Sequence, residues 1–192
     1  MTDMVSRRAF LAAAGAAGSA WALADPDLVH AALVHARARA GSQAPQFAAL
    51  TAGQAADLEA VAMRIFPTDE TPGAREAGVI HFLDQSLATF AAPQKPLLLA
   101  GLADLNQKAA ARWPGTASFA ALSPERQDEL LKSVEETPFF GAVRFATVVG
   151  MLGNPSLGGN RGQTGWKLIG FEGHGIFQPP FGYYDAEAAR GQ

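Results

Sequence analysis

The side chains best suited to acid–base or metal chemistry in this chain are four histidines. A zinc site on a helix typically uses two ligands four residues apart, as in H-E-x-x-H. His30 and His35 are five residues apart, and His81 has an acid, Asp84, three residues further on. Neither spacing makes a convincing ligand pair, so we predict no metal site. His174 stands between two glycines, where it either faces solvent or approaches a ligand.

Two pairs of adjacent acids are the next candidates. Glu135 and Glu136 lie in a predicted helix, where neighbouring side chains point in different directions, so this pair indicates a solvated surface. Asp69 and Glu70 lie in a loop between two prolines, which restrict the backbone on either side. Asp69 therefore has two interpretations, as the cap of the following helix or as a polar contact with a partner or an ion.

Residues 158–170, GGNRGQTGWKLIG, combine glycines with Asn160, Arg161 and Trp166. The stretch is neither G-x-G-x-x-G nor a P-loop, no strand-to-helix turn surrounds it, and the chain has no G-x-S-x-G elbow. Arginine and tryptophan are over-represented among interface residues that dominate binding energy. We therefore predict a partner interface formed by Asn160, Arg161 and Trp166 together with Asp69. The alternative is that Trp166 fills the core and Arg161 caps a helix end.

Composition narrows the classes of function. Of the 192 residues, 48% are hydrophobic, enough for the core of one domain, and the net charge is only -3. No basic cluster lies beyond the N-terminus, which argues against nucleic-acid binding. The absence of cysteine excludes disulfides, iron–sulfur clusters held by thiolates and attached c-type haem in this chain. We predict that the chain binds no cofactor of its own.

The N-terminus has the pattern of a twin-arginine export signal. Arg7 and Arg8 precede a weakly apolar stretch at residues 12–24, and a small-x-small pattern at residues 22–24 predicts cleavage before Asp25. The apolar stretch is too short to span a bilayer, which takes about 20 residues. Residues 1–24 are thus predicted to be a signal peptide that sends the protein to the periplasm. If the leader stays uncut, it would act as an anchor.

The remaining sequence predicts a mainly α protein. Residues 25–49 are expected to form an N-terminal segment and linker, and residues 50–152 a helical domain. Thr51 and Gln54 form a capping box, and the next helices are expected near residues 74–90 and 97–113. Ser123 and Pro124 predict another helix start.

The last predicted helix, residues 139–152, is apolar on nearly all sides and is expected to be central and buried. From residue 153 turn-forming residues dominate, and six aromatic side chains follow between Trp166 and Tyr184. Residues 153–192 are therefore predicted to be a long irregular arm, rich in aromatic residues, that binds a partner.

The sequence also resembles the gluconate 2-dehydrogenase subunit 3 family. The resemblance is carried by the leader SRRAFL at residues 6–11, by IFPTDETPGA at 65–74 with AGV at 77–79, and by the stretch at 158–170. These blocks occur in order along the chain to about Phe171. The aromatic tail at residues 177–184 does not match the family pattern.

The resemblance implies a non-catalytic small subunit of a periplasmic dehydrogenase complex. The implied partner is an FAD subunit of the glucose–methanol–choline type, often joined by a cytochrome c subunit, and the substrates are sugars, glycosides or sugar acids. The small subunit would help the flavin subunit mature and be exported, and it would meet the membrane only through the complex or an uncleaved leader. The alternative is a stand-alone sugar-binding protein or small enzyme, with Asp69, Asn160, Arg161 and Trp166 lining a pocket.

Overall fold

The computed structural model describes residues 47–173 together with Glu187 and Arg190. Six α-helices lie within residues 47–173, and no strand occurs there. They are α1 Ala52–Ile65, α2 Val79–Ala88, α3 Lys95–Arg112, α4 Pro124–Lys132, α5 Pro138–Leu152 and α6 Thr164–Leu168. The mainly α prediction is confirmed. The predicted leader and residues 25–46 lie outside the described residues. The aromatic tail at residues 177–184 also lies outside them.

Helix α5 is the central element of the fold, as its sequence predicts. It packs against α1, α2, α3 and α6. Ala142, Val143, Ala146 and Met151 are completely buried in it, and the small side chains of the two alanines allow the neighbouring helices to approach closely. Within the described residues, no helix has the length and apolar character needed to cross a membrane.

Local signals fix the start of α1 as predicted. The Thr51 hydroxyl accepts a hydrogen bond from the Gln54 backbone N–H, and the Gln54 side chain accepts one from the Thr51 N–H. This reciprocal pair satisfies donors that have no partner within the helix. Leu58, Val61 and Ala62 then face the core at helical spacing.

The second helix is shorter than predicted. It spans Val79–Ala88 rather than residues 74–90, because Gly78 adopts left-handed backbone angles (φ 68°, ψ 34°) that interrupt the helix. Residues 74–78 form turns instead. The interpretation of Asp69 as the cap of this helix is wrong, because Gly78 occupies the N-cap position.

The described part of the predicted irregular arm, residues 153–173, contains short helices. Two 3₁₀ turns, Pro155–Leu157 and Arg161–Gln163, precede α6. The Pro155–Leu157 turn packs against α2, and α6 packs against α5. These residues, called the arm below, are therefore attached along the helical body.

A partly buried polar cluster that the sequence did not predict connects α1 to α3 and to the 3₁₀ turn Phe119–Ala121. The Asp57 carboxylate accepts hydrogen bonds from Asn106 Nδ2 (2.8 Å) and from the Ala120 backbone N–H (2.9 Å). Asn106 Oδ1 accepts another from the Phe119 N–H at 2.7 Å. Because each buried polar group has a partner, the cluster specifies how these elements pack.

Candidate functional site

The two internal sequence blocks that carry the resemblance meet in space. The backbone N–H of Arg161 donates to the Ala77 carbonyl at 3.0 Å. The Arg161 side chain crosses the face of Gly78 so closely that a Cβ atom there would lie 2.6 Å from Arg161 Cδ. Glycine at position 78 thus supplies both a left-handed backbone and room for the arginine.

Asn160 fixes the arm from inside. It is completely buried; its Nδ2 donates to the Gly153 carbonyl at 2.9 Å, and its Oδ1 accepts from the Gly165 N–H at 2.8 Å. Its own N–H donates to the Gly150 carbonyl at the end of α5. With no exposed surface, Asn160 would act on a partner surface only indirectly, by holding the arm in shape.

Trp166 joins α6 to the last turn of α5. Its indole Nε1 donates to the Leu152 carbonyl at 2.6 Å, a group left without a helical partner at a helix end. The Phe171 ring meets the indole edge to face, with ring centres 5.1 Å apart. Trp166 is partly buried, so it is a structural support of the arm with an exposed edge.

Asp69 orders its own loop. Its carboxylate Oδ1 accepts hydrogen bonds from the Thr71 N–H (2.8 Å) and the Thr71 hydroxyl (2.9 Å), and these bonds lower the pKa of Asp69. In the same loop Glu76 Oε2 accepts from the Thr68 hydroxyl and from the Gly73 N–H. The described hydrogen bonds of Asp69 therefore stay within this loop and do not connect it to Asn160, Arg161 or Trp166.

A second contact region beside Arg161 joins α2 to the start of the described chain. Phe47 stacks on His81 with ring centres 6.0 Å apart. The buried Asp84 carboxylate accepts hydrogen bonds from the N–H groups of residues 48, 49 and 50 at 2.8, 2.8 and 3.1 Å. Burial and the charge of Arg161 lower the pKa of His81, opposed by Asp84. Residues 47–50 are thus fixed beside the arm.

The Arg161 guanidinium is partly withdrawn from water. Its Nε donates to the Gly158 carbonyl at 3.3 Å. Burial lowers its pKa. The ion pairs found in the described residues join other side chains, such as Arg64 with Asp128 and Arg112 with Glu129. Arg161 thus has donors left for a ligand or a partner.

The glycine-rich stretch is not an open phosphate cradle. The backbone N–H groups of residues 158, 160, 161, 163 and 165 all donate within the protein. A phosphate-binding loop needs such donors directed at the ligand. This geometry does not fit a dinucleotide in the arm. Within the described residues, no group of three or more His, Asp or Glu side chains is placed to hold a metal ion.

A groove of about 360 Å³ lies elsewhere, between α1, α4 and α5. Arg64, Asp128, Lys132, Glu135 and Arg144 provide its charged lining, over apolar Ile65, Leu131 and Phe140. None of the four predicted interface residues lines it. The sugar-pocket alternative expects these four residues to line a binding pocket. This groove is therefore not the pocket that the alternative expects.

The sequence did not predict the structural role of Asp84 or the exposure of Ile169. The signal for Asp84 was a single acid within the apolar run of α2, where an unpaired charge would be costly. The signal for Ile169 was a large apolar residue just after a short helix. Such a residue packs inward in most proteins, whereas Ile169 is 62% exposed.

Comparisons with known proteins agree with the sequence blocks described above. The family described as Gluconate 2-dehydrogenase subunit 3 matches residues 52–173, a range that contains α1 through α6 and ends with the arm. No curated protein and no solved structure matches the chain. Because the family match covers well over half of the 192 residues, this chain belongs to the gluconate 2-dehydrogenase subunit 3 family, small subunits of dehydrogenase complexes.

Proposed function

We propose that this chain is the non-catalytic small subunit of a periplasmic FAD-dependent dehydrogenase that oxidises a sugar, a glycoside or a sugar acid. The observation that carries the proposal is the family match over residues 52–173. In this proposal FAD resides in a glucose–methanol–choline type partner and supplies the redox chemistry. A cytochrome c subunit, where present, accepts the electrons.

The arm supports a binding role over a catalytic one. Its backbone donors hold its own shape and attach it to the helical body, and the side-chain amide of Asn160 makes two hydrogen bonds within the protein. A segment ordered in this way presents a fixed surface, which lowers the entropy lost on association. Such a surface suits a structural subunit.

The export part of the proposal rests on Arg7 and Arg8. The twin-arginine route accepts folded proteins, so one leader would carry a preassembled complex whose flavin subunit has no signal of its own. The small subunit would then assist maturation by binding the flavin subunit before export. The complex reaches the membrane through other subunits or through an uncleaved leader.

The test is co-expression of the full tagged chain with its neighbouring genes, followed by a visible spectrum and a dye-linked screen of gluconate, glucose and glycosides. We expect a flavin spectrum, a large second band and dehydrogenase activity in the periplasmic fraction. With the double variant Arg7→Lys/Arg8→Lys, the small subunit should still bind the flavin subunit. The complex should not be exported, so the dehydrogenase activity should be found in the cytoplasm. The proposal would be overturned if the chain purifies alone and colourless and if the dehydrogenase activity still reaches the periplasm when this chain is not expressed.

A further inference from the structure

Exposed apolar side chains are concentrated at the end of the arm. Within the described residues five large apolar side chains are exposed, and three of them occupy positions 168–171. Leu168 and Phe171 are each 36% exposed and Ile169 is 62% exposed. A contiguous apolar patch of this kind on a small protein usually marks an interaction site.

Helix α5 carries a further exposed apolar side chain on the face that leads to the arm. Val148 is 40% exposed and lies one helical turn before Leu152, on the same side of α5. Leu152 is the residue whose carbonyl binds the Trp166 indole. The exposed apolar side chains of α5 and of the arm therefore lie on neighbouring turns of connected elements.

The patch is bordered by positive charge. Arg161 and Lys167 are exposed on the arm that carries the patch, and the ion pairs in the described residues involve neither of them. The acid among residues 161–173 is Glu172, which has an interaction of its own. Charge complementarity thus favours a partner surface with carboxylates around an apolar centre.

The backbone beneath the patch is fixed. Three features hold residues 160–171 against α5: the hydrogen bonds of Asn160, the Trp166–Leu152 hydrogen bond and the Trp166–Phe171 ring contact. A surface held in this way loses little contact energy to ordering when it binds.

We propose that the surface formed by Val148, Arg161, Lys167, Ile169 and Phe171 docks the catalytic subunit, which presents an apolar patch and a carboxylate that pairs with Arg161. This inference rests on the proposed function. In this inference Asn160 and Trp166 support the surface from within the arm. The exposed residues around them make the direct contacts with the partner.

The experiment co-expresses full-length variants with the catalytic subunit and measures the flavin absorbance that co-purifies per small subunit. Ile169→Asp and Lys167→Glu change exposed side chains that support no other element. Leu97→Asp is the matched apolar control, 37% exposed on α3, and Lys132→Glu is the matched charge control, exposed on α4. The melting temperature of each small subunit alone checks its folding.

We expect Ile169→Asp to lower the co-purified flavin about 10-fold or more, and Lys167→Glu and Arg161→Gln to lower it several-fold, while both controls stay within about 2-fold of the unmodified chain. Added salt should weaken the unmodified complex more than the Arg161→Gln complex.

Full co-purification by Ile169→Asp and Arg161→Gln would overturn this inference and leave the proposed function standing. If Ile169→Asp lowers the melting temperature but not co-purification, residues of this same chain cover the patch, and the inference is again wrong. Failure of the unmodified chain to retain flavin would instead contradict the proposed function itself.

Discussion

The side chain of Arg161 lies across Gly78, so that a Cβ at position 78 would come within 2.6 Å of Arg161 Cδ and 2.7 Å of Nε. The Arg161 N–H also donates to the Ala77 carbonyl. These contacts join segments more than 80 residues apart and set where the guanidinium of the arm can point.

Substitution of Gly78 tests this contact. Gly78→Ala should destabilise the chain by about 1–2 kcal/mol from its left-handed backbone alone, and further by displacing Arg161. Gly115→Ala is the matched control, because Gly115 also has a positive φ (89°) but open space around its Cβ position. Urea denaturation should show a larger loss for Gly78→Ala. The double variant Gly78→Ala/Arg161→Ala should remove that excess; if it persists, Arg161 is not the neighbour that matters.

Asn160 should be required for the fold of the arm. Asn160→Gly keeps the left-handed backbone (φ 44°) but removes both side-chain hydrogen bonds, and it should cost roughly 2–4 kcal/mol in the free energy of unfolding. Asn160→Ala should cost about 1 kcal/mol more because alanine is strained at that φ. Chemical denaturation of both variants measures the two contributions. Equal stability of both variants and the unmodified chain would contradict the buried role.

Asp84 should hold residues 47–50 on α2. Asp84→Asn removes the charge and places an amide group against N–H donors, so we expect a loss of roughly 2–4 kcal/mol. Asp104→Asn, at an exposed ion pair with Lys108, is the control and should cost less than about 1 kcal/mol. Hydrogen exchange of amides 48–50 should accelerate only in Asp84→Asn. Unchanged exchange there would show that other contacts fix the segment.

His81 should make stability depend on pH. Burial and Arg161 lower its folded pKa below 6.5, so on acidification the unfolded chain takes up the proton first. The free energy of unfolding therefore falls as the pH drops below about 6.5 and is unaffected by His81 above it. His81→Gln should lose less stability than the unmodified chain between about pH 7 and about pH 5, measured by urea denaturation. Parallel pH profiles would exclude this contribution.

Local sequence patterns determined most of the helices. The capping box at Thr51, the proline at position 138 and the apolar spacing of α1 and α5 act over one to four turns, so they can be recognised without tertiary information. The start of α2 could not be predicted in this way. Gly78 looks compatible with a helix in sequence, and its left-handed conformation is stabilised by contacts with the distant Arg161.

For the candidate site too, some features could be predicted from the sequence and others required the tertiary structure. The residue types in the 158–170 stretch already indicated an interface and the family, because glycine, arginine and tryptophan have distinctive chemistry. Only the tertiary structure decided that Asn160 is buried and Ile169 exposed, since burial depends on which helix covers each side chain. Asp84 became recognisable only when the fold brought three backbone donors to its carboxylate across more than 30 residues of chain.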